Sequence, residues 1–174
     1  MSADDRPADR PADRSALDPD AFRATLGRFA AGVTVLTARD AEGRDHGMTV
    51  SAFCSLSLDP PLVLACVDRG ASMHPLFAPG APFVVNVLAA GQEALSRRFA
   101  TMDPSDRFAG VGYERTAGGA ARLDGVLAWL ECRVHALHDG GDHTIVAGLV
   151  QEAGTREDAR PLLYYRGGYA SLER

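Results

Sequence analysis

The sequence predicts a mainly β protein, an antiparallel β-barrel with one N-terminal helix and short flanking helices. The chain holds about seven runs rich in Val, Thr, Leu and aromatic residues, each bounded by Gly, Pro or Asp turns. No regular helical segments separate these runs, which disfavours a parallel βαβ sheet. Closing antiparallel strands into a barrel removes the edges that such a set would otherwise expose. With 174 residues and 46% apolar content, the chain can bury a core.

Residues Met1 to Ala16 are polar and repeat the unit Arg-Pro-Ala-Asp. With nothing to bury, 1–16 are expected to form a disordered tail ahead of a domain at 17–174. Asp18 can cap a helix with Pro19 at its first position, and Phe22, Leu26 and Phe29 then share one face. Gly32 is the expected stop, followed by a strand at Val33–Thr37 and a turn at Ala41–Gly43. Gly47 to Phe53 reads as a strand, Pro60-Pro61 as a tight corner, and Leu62 to Val67 as a second strand. Phe83–Leu88 is another strand, and Gln92–Ala100 a short helix. Thr101 to Arg122, rich in Gly, Asp and Arg, reads as a surface excursion. Val126–His138 and His143–Gln151 form a hairpin across Asp139-Gly140-Gly141-Asp142, and Pro161–Tyr169 supplies a last strand.

Net charge is −5, with no lysine and no basic stripe, so nucleic-acid binding is not expected. A phosphate site here must use Arg, backbone N–H groups or hydroxyls. Cys54, Cys66 and Cys132 are scattered through apolar runs without a CxxC, as buried free thiols of a reducing compartment would be. No apolar run is long enough to span a bilayer and no secretory h-region opens the chain, so a soluble cytoplasmic protein is expected. Cys132, His135, His138 and His143 do not have the spacing of a tight tetrahedral metal site, and no metal is expected.

The candidate site residues start in the Gly47 strand. Thr49 and Ser51 share a face, while Met48, Val50 and Ala52 point the other way. Small hydroxyl residues in a strand let a ligand approach the backbone closely. Ser72 precedes a short helical turn; it is either an anion contact or a simple cap. Arg97 and Arg98 either turn one guanidinium toward a phosphate or form a solvated pair. His143, beside Asp142 at the mouth of a strand, is either a ligand contact or a surface turn residue. There is no Walker A and no GxSxG motif, and Gly110-Val111-Gly112 lacks the third glycine of a dinucleotide fingerprint.

Several segments, in order, resemble the flavin reductase-like family, whose members bind FMN or FAD in a split Greek-key barrel. They are Phe22 to Thr37, Gly47 to Val67, Phe83 to Leu88, Leu95 to Ala100, Asp106 to Val111, Leu127 to Cys132, Gly141 to Ile145 and Pro161 to Tyr169. The resemblance implies that Met48, Thr49, Ser51 and Ala52 line the isoalloxazine and ribityl chain. It places Cys66, Val67 and Asp68 at the flavin edge, Ser72 and Arg98 on the phosphate, and Phe99 beside the site. His143, as the catalytic position, and Tyr169 would meet NADH or NADPH. Met73 departs from the hydroxyl that relatives often carry there.

The function so implied is an NAD(P)H-dependent flavin reductase. It would pass a hydride to FMN or FAD and supply reduced flavin to a separate monooxygenase, working as a homodimer. Flavin does its own hydride chemistry, so the absence of an evident nucleophile agrees with this. The residues also leave open a flavin-binding carrier or sensor without turnover, and a barrel enzyme using a deazaflavin or acting on pyridoxine phosphate.

Overall fold

The computed structural model describes residues 17–172; the tail expected at 1–16 lies outside the described residues. Helix α1 (Pro19–Leu26) starts as its sequence dictates. The Asp18 carboxylate accepts the N–H groups of Asp20 at 3.2 Å and Ala21 at 3.3 Å, and Pro19 fills a position that needs no donor. The helix ends at Gly27 rather than Gly32, with the Gly27 N–H closing back on the Arg23 carbonyl. Phe29 therefore lies beyond it. No α1 residue is buried, and Phe22, Leu26 and Phe29 are exposed, Phe29 at 78%.

The strands are β1 (Ala31–Gly32), β2 (Thr34–Arg39), β3 (Asp45–Val50), β4 (Phe53–Ser57), β5 (Leu62–Asp68) and β6 (Pro82–Val87). After helix α2 (Glu93–Thr101) come β7 (Tyr113–Arg115), β8 (Ala121–Leu123), β9 (Ala128–Gly140), β10 (His143–Thr155), β11 (Leu163–Tyr165) and β12 (Gly168–Ala170). Seven of them make one antiparallel sheet in the order β3-β2-β6-β9-β10-β5-β4. The mainly β, antiparallel architecture is the one expected. Strands β3 and β4 are the two ends of the sheet, and among the described residues no ladder joins them.

Three local expectations are corrected. The strand expected through Gly47–Phe53 is broken at Ser51 and Ala52, because these residues carry the chain from one end of the sheet to the other. Pro161–Tyr169 is a hairpin rather than one strand. Arg166 (φ 52°) and Gly167 (φ 78°) supply the paired positive φ angles of a type I′ turn between β11 and β12. The 101–122 segment is not merely a surface excursion: it carries β7 and the start of β8, and Ala120 and Ala121 are buried.

Strands β2 and β6 are covered on both faces. Leu36, Phe83 and Val85 point into the sheet interior with Met73 and Phe77. Val33 and Val35 point the other way, onto Leu88, Phe99, Leu123 and Leu162. The period of two along an extended chain divides these sets. A Cβ on Gly47 would lie 2.5 Å from Cε1 of Phe99, so only glycine lets α2 lie this close to β3.

Asn86 on β6 ties the outer layer to the sheet. Its side chain is fully buried; Nδ2 donates to the Val35 carbonyl (3.1 Å) and to Thr37 Oγ1 (3.2 Å), and Oδ1 accepts the Leu123 N–H at 2.8 Å. Thr37 Oγ1 donates in turn to the Ala121 carbonyl at 2.5 Å. Asn86→Ala strands the Leu123 N–H in a dry interior and should lower the unfolding free energy by about 3 kcal/mol. Urea denaturation measures this, and a loss under about 1 kcal/mol would contradict the role given to the network.

Candidate functional site

The ends of β3 and β5 and one side of α2 enclose a cleft of about 440 Å³. Met48, Thr49, Asp68, Ser72 and Phe99 line it, as the sequence led us to expect, together with Arg107. A second hollow of about 180 Å³ adjoins it through Thr49 and Ala100 and is walled by Ser51, Tyr164 and Tyr169. The split in the sheet makes this opening. The Ser51 carbonyl accepts the Phe53 N–H and the Ala52 carbonyl accepts the Cys66 N–H. Among the described residues, the N–H groups of Ser51 and Ala52 meet no protein acceptor.

Asp68 shapes the loop after β5. Its Oδ1 accepts the Gly70 N–H at 2.6 Å and its carbonyl accepts the Ala71 N–H at 3.1 Å. The chain then enters a 3₁₀ turn at His74–Leu76, which Ser72 does not cap. Among the described residues, the Ser72 and Met73 N–H groups have no protein acceptor, and Ser72 lines this end of the cleft. The Met73 side chain is 1% exposed and belongs to the interior core; its departure from a hydroxyl adds packing rather than a ligand contact.

The arginine in this cleft is Arg107. Its Nη1 donates to the Gly47 carbonyl at 2.7 Å and its Nε to the Met102 carbonyl at 3.1 Å, while burial pushes its pKa down. Arg98 lies elsewhere: Nη1 donates to the Ala109 carbonyl at 2.8 Å, and the side chain lines a separate trough on the outer side of α2. The structure therefore does not bring Arg98 and Ser72 together. Residue 98 precedes Phe99 by about 100° around the helix, which sets it off the face that Phe99 presents to the Ser72 cleft. The Asp106-Arg107-Phe108 segment was visible in the sequence, but nothing in its local pattern says that its arginine folds back beneath β3.

Tyr169 is held by a buried relay. Ser96, fully buried, shares a hydrogen bond of 2.8 Å with the Tyr169 hydroxyl, and its carbonyl accepts from Thr49 Oγ1 at 2.7 Å. The Arg97 guanidinium sits 4.8 Å from the Tyr169 ring centre, and the Tyr164 ring meets Tyr169 edge-on at 5.5 Å. Sequence reasoning passed over Ser96 and Tyr164; a serine inside a helix carries no local sign that it is buried. His143 lines neither hollow. It pairs in register with Asp68 across β5 and β10, and its Nδ1 lies 2.6 Å from Asp142 Oδ1. That hydrogen bond holds the Asp142 carboxyl below its ordinary range.

Val67 is fully buried, so only its backbone can reach a ligand, while Cys66 is half-buried with its N–H committed to Ala52. Burial, with a smaller contribution from Cys54, pushes the Cys66 thiol up. Among the described residues, no three His, Cys, Asp or Glu side chains converge as metal ligands.

The family described as "Flavin reductase like domain" matches residues 26–173. A flavin reductase of Pseudomonas putida is 42% identical over 159 residues, covering 91% of this chain and 93% of the relative. The reductase component of 4-hydroxyphenylacetate 3-monooxygenase from Thermus thermophilus is 45% identical over 153 residues, covering 88% of this chain and 96% of that protein. Among solved structures, the NADH:FAD oxidoreductase SgcE6 of Streptomyces globisporus, in complex with NAD and FAD fragments, superposes with a TM-score of 0.84 at 39% identity. That match covers 90% of this chain and 93% of the other.

Burial, then the charge of Glu131, pushes the Cys132 thiol up to about 12. At about pH 8 its thiolate fraction is about 10⁻⁴. Cys132 should resist maleimide and disulfide reagents until the protein is denatured. Mass spectrometry after timed labelling checks this, and modification of Cys132 in the folded protein would contradict it.

Proposed function

Because the chain belongs to the flavin reductase-like family, we propose that it is an NAD(P)H-dependent flavin reductase. In this reading residues 17–174 form one flavin reductase-like domain. The observation that carries it is the junction of the two hollows at Thr49. One end offers the Ser72 hydroxyl, backbone N–H groups that are unpaired among the described residues, and Arg107; the other offers the Ser51–Ala52 backbone and Tyr169. That donor set suits a flavin mononucleotide unit. Its phosphate needs donors at one end, and its ring needs backbone amides and a flat wall.

When bound, flavin supplies the hydride acceptor. The chain supplies position. Ser72 and Arg107 hold the phosphate, which revises the part expected of Arg98. Met48, Thr49 and the backbone at Ser51–Ala52 border the ring and ribityl chain, and Asp68 keeps its loop folded at the edge. Tyr169, fixed by Ser96, and His143, fixed by Asp142, orient the nicotinamide so that hydride donor and acceptor meet at near-attack distance. Neither residue has to move a proton. The openness of the cleft suits two ligands that enter and leave in turn.

Reduced flavin then diffuses to a separate flavin-dependent monooxygenase. A homodimer covers the apolar face left open by α1 and Phe29, together with Leu58, which is 92% exposed. Among the described residues no helix is long and apolar enough to cross a membrane. The chain's cysteines are free, which fits the cytoplasm.

The deciding assay follows absorbance of NADH and of NADPH under air, with and without added FMN or FAD. Oxidation that rises with added flavin is expected; flavin binding without oxidation of either nucleotide would leave a carrier instead. Arg107→Ala should weaken FMN binding about tenfold, about 1.4 kcal/mol. His143→Ala should raise the KM for the nicotinamide substrate about tenfold with flavin affinity nearly unchanged. Loss of flavin binding in His143→Ala would remove that residue from the nicotinamide site.

A further inference from the structure

We propose that Arg69 and His74 are positioning residues for the nicotinamide end of the site: they tie His143 to the loop that receives the flavin phosphate, so that a bound phosphate fixes the histidine. This rests on the flavin reductase reading and deepens it. His143 is the first residue of β10 and, with Asp68, the last rung of the β5–β10 ladder. It follows closely on Gly141, which turns the chain at φ 78°. The end rung of a ladder opens and closes more readily than its middle. Residues directly opposite one another in an antiparallel pair turn their side chains to one face, and Asp68 lines the Ser72 cleft. The state of this rung therefore decides how His143 stands beside the cleft.

The loop after β5 holds this rung through both chain neighbours of His143. The Arg69 N–H donates to the Asp142 carbonyl at 3.1 Å, its Nε donates to the His143 carbonyl at 3.3 Å, and its Nη2 is paired with the Asp139 carboxylate. On the other side, His74 Nε2 and Thr144 Oγ1 share a hydrogen bond of 2.9 Å, and Thr144 is buried. The His74 N–H is itself fixed on the Ala71 carbonyl at 2.9 Å. Asp142 and Thr144 are thus each held from the loop segment that carries Ser72, one by a residue before it and one by a residue after it.

These ties are not what the fold needs. The Arg69–Asp139 pair is exposed, at 49% and 80% for the two side chains, and such a pair adds little to global stability. Its effect is local, on one turn. Asp68 cannot take this part, because its Oδ1 is committed to the Gly70 N–H inside the loop. Between the two ties lie the Ser72 and Met73 N–H groups, which have no acceptor among the described residues. An anion bound there orders the stretch from Arg69 to His74 and, through it, the end rung. Two ligands that order one shared segment are coupled, and the coupling is reciprocal.

Riboflavin carries the flavin ring without the phosphate, so a comparison with FMN isolates the phosphate's effect. Amide hydrogen exchange across residues 139–146 is followed by mass spectrometry with each flavin at saturation. It is measured in the wild-type protein and in a double variant, Arg69→Ala with Thr144→Val, which cuts both side-chain ties. In the wild-type protein FMN should slow exchange at least about threefold more than riboflavin does. In the double variant that difference should vanish. Its FMN affinity should stay within about threefold of wild type, since Ser72 and Arg107 remain, and its melting curve should be retained. In steady state with FMN, the double variant should raise the KM for NADH about tenfold, to the value the wild-type protein shows with riboflavin, with kcat changed less than about twofold. Equal protection by the two flavins in the wild-type protein, or phosphate-dependent protection that survives in the double variant, overturns the proposal. A KM that rises equally with FMN and with riboflavin marks both ties as merely structural and also overturns it. Failure of FMN to bind the wild-type protein sinks the reductase reading and this inference with it, whereas FMN that binds and leaves the turn unprotected sinks the coupling alone.

Discussion

The rest of the molecule depends on the side-chain amide of Asn86. Strands β2 and β6 are buried on both faces, so the outer layer cannot be held by solvent-facing pairs and must dock onto a dry surface. Apolar packing of Val35, Leu123 and Phe99 supplies most of the stability but is non-directional. The Asn86 network fixes where β8 sits, because each amide atom has one partner set and an unmade bond in this interior is costly. With β8 in place, Phe108 and Tyr113 stack edge-on beside Phe99. That packing presses Phe99 onto Gly47 and fixes α2 over β3. Both hollows are bounded by α2 and β3, so the site inherits its shape from a buried amide.

The split between β3 and β4 is the second constraint. A closed barrel would pair every backbone group and leave none for a ligand. At Ser51 and Ala52 the chain leaves one end of the sheet and joins the other, and the N–H groups freed by that crossing meet no acceptor among the described residues. These donors come from backbone rather than charged side chains, so their grip is moderate. That suits a ligand released in each cycle, whereas a ring of buried charges would hold it too tightly or cost too much to desolvate.

Much of this was legible in the sequence, and the failures share a cause. Asp18-Pro19 fixed the start of α1 and the Gly-rich turn fixed the β9–β10 hairpin, because both signals act within a few residues. The end of α1 was misread because two glycines compete, and Gly27 acts first. Met48, Thr49, Asp68 and Ser72 lie together as the sequence suggested, since each sits at a strand end where alternation and turn chemistry are readable. Arg107 and Ser96 were missed because their roles depend on long-range folding. Arg107 reaches the Gly47 carbonyl from a loop sixty residues away, as counted between the partners, and Ser96 meets a tyrosine beyond the whole of the β9–β10 hairpin.

The position of α1 follows from the same physics. Its polar and apolar residues alternate at helical spacing, yet no part of it is buried by the described chain. Burying a side chain the size of Phe or Leu is worth about 2 kcal/mol, so leaving Phe22, Leu26 and Phe29 in water forgoes several times that. Phe22 and Leu26 stand at helical spacing behind a well-formed cap, and Phe29 follows just past the helix end. The hairpin β11–β12 lies next to it, with the Gly27 carbonyl accepting the Arg166 N–H at 2.8 Å, and Tyr164 and Tyr169 on that hairpin wall the smaller hollow. The exposed helix α1 is therefore tied, through one backbone hydrogen bond and one short hairpin, to the element that carries Tyr169 and walls the smaller hollow.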